Sequence, residues 1–270
     1  HGVRVPNAMD GHPGVQAPIK PGDTFDYDFV VPDSGTFWYH PHIDSSAQVG
    51  YGLYGALVVE DPDEPPLGDE LTVVLSDATS TADGGLAPGH EHGWFGDYFG
   101  RDGDLTLVNG KVSPHLVSRK GAPQRWRVIN AARARYFSIS LDGHSMARIG
   151  GDVGLAERPL DVDHVTLVPG ERVDLFVVPT GEPGSMHGLD ATRFDRVGSG
   201  EPPAKERIMD IAIAADPVWT GGPTLPAAFT AIARIDTSHA ITRNVELSAV
   251  TKNGVTYFGI DKKTGADVGM

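Results

Sequence analysis

The chain contains no cysteine. Disulfide bonds, thiolate zinc sites and cysteine nucleophiles are therefore excluded, although this absence does not identify the cellular compartment. No apolar run approaches the roughly 20 residues that a membrane-spanning helix needs, so we expect no membrane partner. The chain shows no signal peptide and starts at His1 without an initiator methionine, which leaves open whether a leader once preceded it.

Basic residues are scarce relative to acidic ones. The 270 residues include 22 Lys and Arg against 36 Asp and Glu, which gives a formal net charge of −14. An acidic surface repels phosphate backbones, so nucleic acid is not an expected partner. A hydrophobic fraction of 40% is ordinary for a packed globular protein, and the length fits two β-domains of moderate size.

Alternation of apolar and polar residues is the dominant pattern, and no long stretch has helical periodicity. Residues 25–31, 126–130, 138–141 and 173–177 show this alternation, although it is less clean in the second segment. Such segments predict strands with one buried face. The 34 glycines and 21 prolines are spread along the chain and mark turns between strands. We therefore predict an all-β fold built from sandwiches.

Two Pro-rich segments divide the chain. Asp61–Pro66 is a stiff, charged connector, and a second Pro/Gly cluster begins at Asp216. We predict a first domain over 1–61, a second over 67–217, and a linker with the start of a third domain over 218–270. Because 61 residues are few for a sandwich, we expect both ends of the chain to be cut.

The most informative stretch for chemistry runs from Gly35 to His42 and reads GTFWYHPH. His40 and His42 are two residues apart, so on an extended strand both imidazoles project from the same face. Pro41 between them suits the end of a strand. Imidazole binds copper, zinc, iron and nickel, but two ligands cannot enclose a metal, and His1 is a further candidate. The alternative is a pair of surface or core histidines without a metal.

Three segments resemble the three-domain multicopper oxidases, the laccase-like group. These are His1–Gly11, Gly35–His42 and Tyr51–Glu60, and looser similarity continues at 107–111, 126–132 and 167–174. The resemblance implies tandem cupredoxin-like Greek-key β-sandwich domains, of which the second carries no copper. It also implies a copper cofactor in the form of a trinuclear cluster between the first and third domains.

The resemblance assigns roles to four residues. His1, His40 and His42 match ligands of the type-3 copper pair. Asp10 matches an acidic residue that assists proton delivery during oxygen reduction, and would be the catalytic residue. The alternative for Asp10 is a turn residue, since Asp-Gly favours turns.

The sequence also departs from the family pattern. The family's cluster uses eight histidines in four His-x-His pairs, of which this chain offers three ligands and has no histidine after His239. A type-1 blue copper site requires a thiolate, and the chain has no cysteine. We therefore expect the chain alone to be inactive.

The function that the resemblance implies is the coupling of one-electron oxidation of a substrate to four-electron reduction of dioxygen to water. The partners would be dioxygen and a small reducing substrate, such as a phenol, an aromatic amine or a metal ion. The implied location is extracellular, periplasmic or in the cell envelope, and self-association into a homo-oligomer is left open.

Two other classes of protein remain open. A non-enzymatic cupredoxin scaffold would have the fold but would typically lack the histidines. A cupin-type mononuclear metalloenzyme would also place His-x-His on a strand, but it needs a Glu soon after His42, where only Asp44 is available.

The remaining histidines have weaker patterns. His90-Glu91-His92 is a second His-x-His pair, for which a solvated loop and an accessory metal site are the alternatives. We assign His144 a structural hydrogen-bonding role. The default for the others is a solvated or core position, and they are His12, His115, His164, His187 and His239.

Overall fold

The computed structural model describes residues 1–87, 99–194, 204–215, 218–222, 224–261 and 263–264. Most of the regular structure in these ranges is β-strand, which confirms the predicted all-β class. Among the described residues, no helix is both long enough and apolar enough to cross a membrane. The histidine pair at 90 and 92 lies outside the described residues.

The first part of the chain contains one small sheet. Strand β1 (Gly35–Tyr39) pairs antiparallel with β2 (Gly55–Val59), and a short helix α1 (Ser45–Gly50) lies between them. A 3-10 helix covers Asn7–Met9. The strand predicted over residues 25–31 is wrong, because that segment has no regular strand. Alternation describes which side chains are buried, but a strand also needs a neighbour to pair with, and none of the described strands pairs with this segment.

Most of the strands lie in the second part of the chain. They are β3 (Asp69–Ala78), β4 (Leu105–Val108), β5 (His115–Ser118), β6 (Gln124–Asn130), β7 (Phe137–Leu141), β8 (Met146–Gly151), β9 (Gly154–Val162), β10 (Val165–Leu167), β11 (Arg172–Val177), β12 (Met186–Arg193) and β13 (Lys205–Ile213). After these follow β14 (Leu247–Lys252), β15 (Val255–Ile260) and β16 (Lys263–Thr264).

Strands β3 to β13 form two sheets that pack face to face. One sheet has the order β4-β3-β6-β11-β8-β9, and the other has the order β10-β7-β12-β13-β5. Most neighbours are antiparallel, but β3 pairs parallel with β6, and β13 pairs parallel with β5. Strands β14, β15 and β16 form a separate three-stranded sheet. The domain boundaries at 61, 67 and 217 stay a prediction.

The main core lies between the two large sheets. Trp126 and Val128 from β6 and Phe137 and Ile139 from β7 are at most 1% exposed and belong to one apolar cluster. These residues occupy every second position of their strands, as a sandwich requires. The intervening residues of β6 are also buried, so the outer face of this strand has a second neighbour.

That second neighbour is β1. The hydroxyl of Thr36 donates a hydrogen bond of 2.7 Å to the carboxylate of Asp174, which is fully buried in β11. Arg125 donates to the same carboxylate over 3.0 and 2.6 Å. Arg127 reaches both the Thr36 hydroxyl, at 3.0 Å, and the Asp174 carboxylate, at 3.3 Å. We call these four residues the Asp174 cluster; it fastens β1 to the six-stranded sheet.

The two arginines of the cluster have further carboxylate partners. Glu64 accepts a hydrogen bond of 2.5 Å from Arg125, and Glu70 accepts two from Arg127, at 2.8 and 2.9 Å. A buried charge is tolerated only when it is paired and hydrogen-bonded. The cluster therefore forms only when β1, the connector that carries Glu64, and the sheet are together.

Replacing Asp174 with Asn should separate β1 from the sheet. The substitution leaves two buried guanidinium groups short of a partner, so we expect a loss of about 3–5 kcal/mol in the free energy of unfolding. Chemical denaturation measures this loss. Asp163→Asn is the matched control, because Asp163 has an exposed side chain that pairs with neighbouring His164, and the stability of this variant should hardly change. Similar stability of the two variants would contradict the role given to the cluster.

Candidate metal centre

His40 and His42 follow directly after the end of β1. Strand β1 ends at Tyr39, where its ladder with β2 also ends, so Pro41 removes no ladder hydrogen bond. The two imidazole rings lie side by side, with centroids 5.0 Å apart and an interplanar angle of 25°. His40 is half-buried, whereas His42 is exposed.

His1 meets the same strand end. Its terminal amine donates a hydrogen bond of 2.7 Å to the carbonyl of Trp38. Its ring Nδ1 lies 3.4 Å from Nε2 of His40, and the two ring centroids are 5.6 Å apart. His1 and His40 are 39 positions apart in the sequence, and the fold brings one ring nitrogen of each close together.

The hydrogen bonding of His40 leaves one nitrogen free for a metal. Its Nδ1 lies 3.2 Å from the backbone carbonyl of Pro41, which can only accept, so Nδ1 carries the hydrogen. Nε2, which faces His1, is then the unprotonated nitrogen. Burial lowers the pKa of the His40 imidazole; the hydrogen bond to Pro41 opposes this, and the positive charges of His42 and of the terminal amine add to it. A neutral ring with its second nitrogen bonded to a carbonyl is the usual form of a metal-binding histidine.

Trp38 supports the two rings from below. Its indole stacks on His40, with centroids 4.3 Å apart, and lies 5.3 Å from the ring of His1. Trp38 is only 6% exposed, and it packs against Ile129 and Ala131 at the end of β6. Residues at the end of β6 therefore position Trp38, and through it the two imidazole rings.

The turn before β11 holds the ring of His1 from the side. Gly170 has a φ of +85°, and a Cβ at this position would lie 3.2 Å from both Cε1 and Nε2 of His1. Arg172 donates hydrogen bonds of 2.9 Å to the carbonyls of Gly170 and Thr36. Burial lowers the pKa of this guanidinium, which the charge of nearby Asp152 opposes. One arginine thus connects the turn beside His1 with the strand that leads to His40.

The rings line a cleft of about 350 Å³. Its walls include His1, Trp38, His40, Arg133 and Gly170. Among the described residues, no three His, Cys, Asp or Glu side chains are grouped so that they could hold a metal by themselves. A metal held at this cleft would need ligands in addition to these side chains.

Asp10 lies at the end of the 3-10 helix and is exposed. The pKa of the His1 terminal ammonium is lowered chiefly by burial and also by Arg172, while the negative charge of Asp10 raises it. Asp10 therefore interacts electrostatically with the terminal ammonium of His1. Its predicted part in proton delivery stays a prediction.

Sequence reasoning missed His12. Its ring is half-buried and lies 5.8 Å from the ring of His42, edge to face. Nδ1 of His12 accepts a hydrogen bond from the amide of Gly14, so this nitrogen carries no hydrogen. The sequence offered one indication that His12 lies near the cleft, which is that it follows Asp10 by two residues.

Models of a known protein family match much of this chain. Two family models, both described as multicopper oxidase, match residues 1–64 and 69–187. The chain belongs to the multicopper oxidase family. The resemblance seen in its sequence is thereby confirmed. The family implies copper as the cofactor, and the imidazole nitrogens at the cleft are suitable donors for it.

Alignments with individual relatives include most of this chain. The chain spans less than half the length of each of these relatives. Multicopper oxidase MmcO from Mycobacterium tuberculosis is 35% identical in an alignment of 211 residues that covers 67% of this chain and 41% of the relative. Laccase-2 from Fomitopsis schrenkii is 32% identical in an alignment of 194 residues that covers 63% of this chain and 32% of the relative.

Solved structures of the family have the same fold. The 2F4 variant of the McoA multicopper oxidase from Aquifex aeolicus superposes with a TM-score of 0.83 at 25% identity, over 99% of this chain and 59% of that one. Such neighbours are cupredoxin-fold proteins, which confirms the predicted fold class.

Gly170→Ala should move the ring of His1. The added Cβ costs roughly 1–2 kcal/mol at a positive φ and also meets the imidazole. Gly184→Ala is the matched control, because its φ is +84° and nothing lies within 4 Å of the added Cβ. We expect similar stabilities in denaturant, with a changed NMR signal of the His1 ring only in Gly170→Ala. An unchanged His1 signal would mean that the turn does not hold this ring.

Proposed function

We propose that His1, His40 and His42 are copper ligands in a multinuclear centre at which dioxygen is reduced to water. The observation that carries this proposal is the approach of the His40 Nε2, which bears no hydrogen, to the His1 ring at 3.4 Å. Copper is among the metals that imidazole favours, and membership of the multicopper oxidase family supports it over zinc or iron.

The bound copper would supply one-electron chemistry and the binding of dioxygen. The residues of this chain would hold and orient it. His40 would bind through Nε2, with its tautomer fixed by the carbonyl of Pro41, and Trp38 would cover the inner side of the rings. Asp10, which is exposed near the His1 amine, would carry protons between solvent and the centre.

Electron entry would use residues outside this chain. A blue copper centre needs a cysteine thiolate, and the chain has none. The complete protein would take electrons from a small reducing substrate such as a phenol, an aromatic amine or a metal ion. We also propose an extracellular, periplasmic or cell-envelope location, which rests on the family resemblance alone.

Copper titration of single variants tests the ligand assignment. His40→Ala should weaken the binding of Cu²⁺ at the cleft at least tenfold, because it removes a direct ligand, and even supporting partners of a metal ligand are worth about 10–100-fold. His164→Ala is the control, since His164 is exposed and pairs with Asp163. Equal affinities in the two variants would exclude His40 as a ligand, and an absence of copper binding by the unsubstituted chain would favour a non-enzymatic scaffold.

An oxidase assay tests the need for a separate electron-entry site. The copper-loaded chain, mixed with a phenolic dye substrate in air, should consume oxygen no faster than free copper at the same concentration. Sustained turnover above that blank would contradict the proposal, because it would show that a route for electrons exists within the chain.

A further inference from the structure

A second pair of histidines meets in the sandwich formed by β3 to β13. His144 lies in the turn between β7 and β8, and His187 lies at the start of β12. Their ring centroids are 4.8 Å apart, and the rings meet edge to face at 86°. Neither residue belongs to the cleft of His1 and His40.

The hydrogen bonding of His144 leaves a nitrogen without a partner. Its Nδ1 lies 2.7 Å from the backbone carbonyl of Asp142, so Nδ1 carries the hydrogen and donates it. The other nitrogen, Nε2, is buried and has no hydrogen-bond partner in the part of the chain that the structure describes. A buried polar atom without a partner is rare and points to a missing ion, water or function.

His187 also has one hydrogen-bonded ring nitrogen. Its Nε2 lies 2.9 Å from the hydroxyl of Ser185, which can donate or accept, and Nδ1 is the candidate metal donor of this ring. Two glycines keep side chains away from this ring. A Cβ on Gly143 would lie 3.3 Å from Nδ1 of His187, and a Cβ on Gly181 would collide with Nε2. Space is therefore kept around both nitrogens of the second ring.

We propose that His144 and His187 form a two-histidine site for a divalent transition metal, with water in the remaining positions. A histidine that donates one ring hydrogen to a backbone carbonyl and leaves the other nitrogen bare is arranged as metal ligands usually are. Imidazole pairs favour Cu²⁺, Ni²⁺ and Zn²⁺, with Cu²⁺ bound most tightly, whereas Mg²⁺ and Ca²⁺ need oxygen ligands. Cu²⁺ is therefore the expected occupant.

This site is separate from the proposed oxygen-reducing centre. It lies in the sandwich that supplies none of the three ligands proposed there, and it needs no residue outside the chain. Because only two side chains of the chain would hold the ion, it would be exchangeable. The site would serve to accept or store copper and not to reduce dioxygen.

Counting bound copper by native mass spectrometry tests the site. We expect His144→Gln and His187→Gln each to lose one Cu²⁺ relative to the unsubstituted chain, and the double variant to lose the same single ion. His115→Gln is the control, because its side chain is 68% exposed and its ring pairs with Asp210. Unchanged copper counts in both variants, or two ions lost in the double variant, would overturn the proposal.

A measurement without substitutions guards against misfolded variants. Cu²⁺ is paramagnetic, so substoichiometric amounts should broaden the ring NMR signals of His144 and His187 together. Sharp signals from both rings, with one equivalent of Cu²⁺ present beyond what the other sites bind, would overturn the proposal. The signals of His40 and His42 are read separately, so failure of this site is distinguishable from failure of the oxygen-reducing centre.

Discussion

The pairing of one buried carboxylate with groups from two other strands determines how the two parts of this chain meet. Asp174 is fully buried, and its oxygens are occupied by Thr36 of β1 and by Arg125 and Arg127 of β6. None of these charges is stable in the interior alone, so the cluster exists only when β1 lies on the sheet. The positions of His40 and His42, which follow the end of β1, therefore depend on this contact.

The candidate metal centre shows the consequence. Its three proposed ligands all come from the first 42 residues, but the groups that orient them come from further along the chain. Gly170 bounds the ring of His1, and Arg172 connects that turn to the carbonyl of Thr36. Ile129 supports Trp38, on which His40 stacks. The sandwich that supplies none of these ligands is thus the scaffold for the centre.

Much of this could be predicted from the sequence, and the failures have physical reasons. Alternation correctly predicted the strands over 126–130 and 173–177, because their partners lie within the same sandwich. It failed over 25–31, because alternation does not reveal whether a neighbouring strand exists. The imperfect alternation around Arg125 and Arg127 indicated the contact between β1 and the six-stranded sheet. Strand β6 is buried on both faces, and buried arginines on such a strand require charged or polar partners that pack against it. The proximity of His12 to His42 and the His144–His187 pair depend on tertiary contacts that no local pattern contains.

The most direct test of copper binding at this strand end is a crystal structure of the chain grown with Cu²⁺, with anomalous data collected at the copper edge. We expect a copper peak between the rings of His1 and His40, at a bonding distance of about 2.0 Å from Nε2 of His40. We also expect β1 to remain attached to the sheet through Asp174. A map with no peak at this strand end, or with the rings of His1 and His40 turned apart into separate hydrogen bonds, would contradict this expectation.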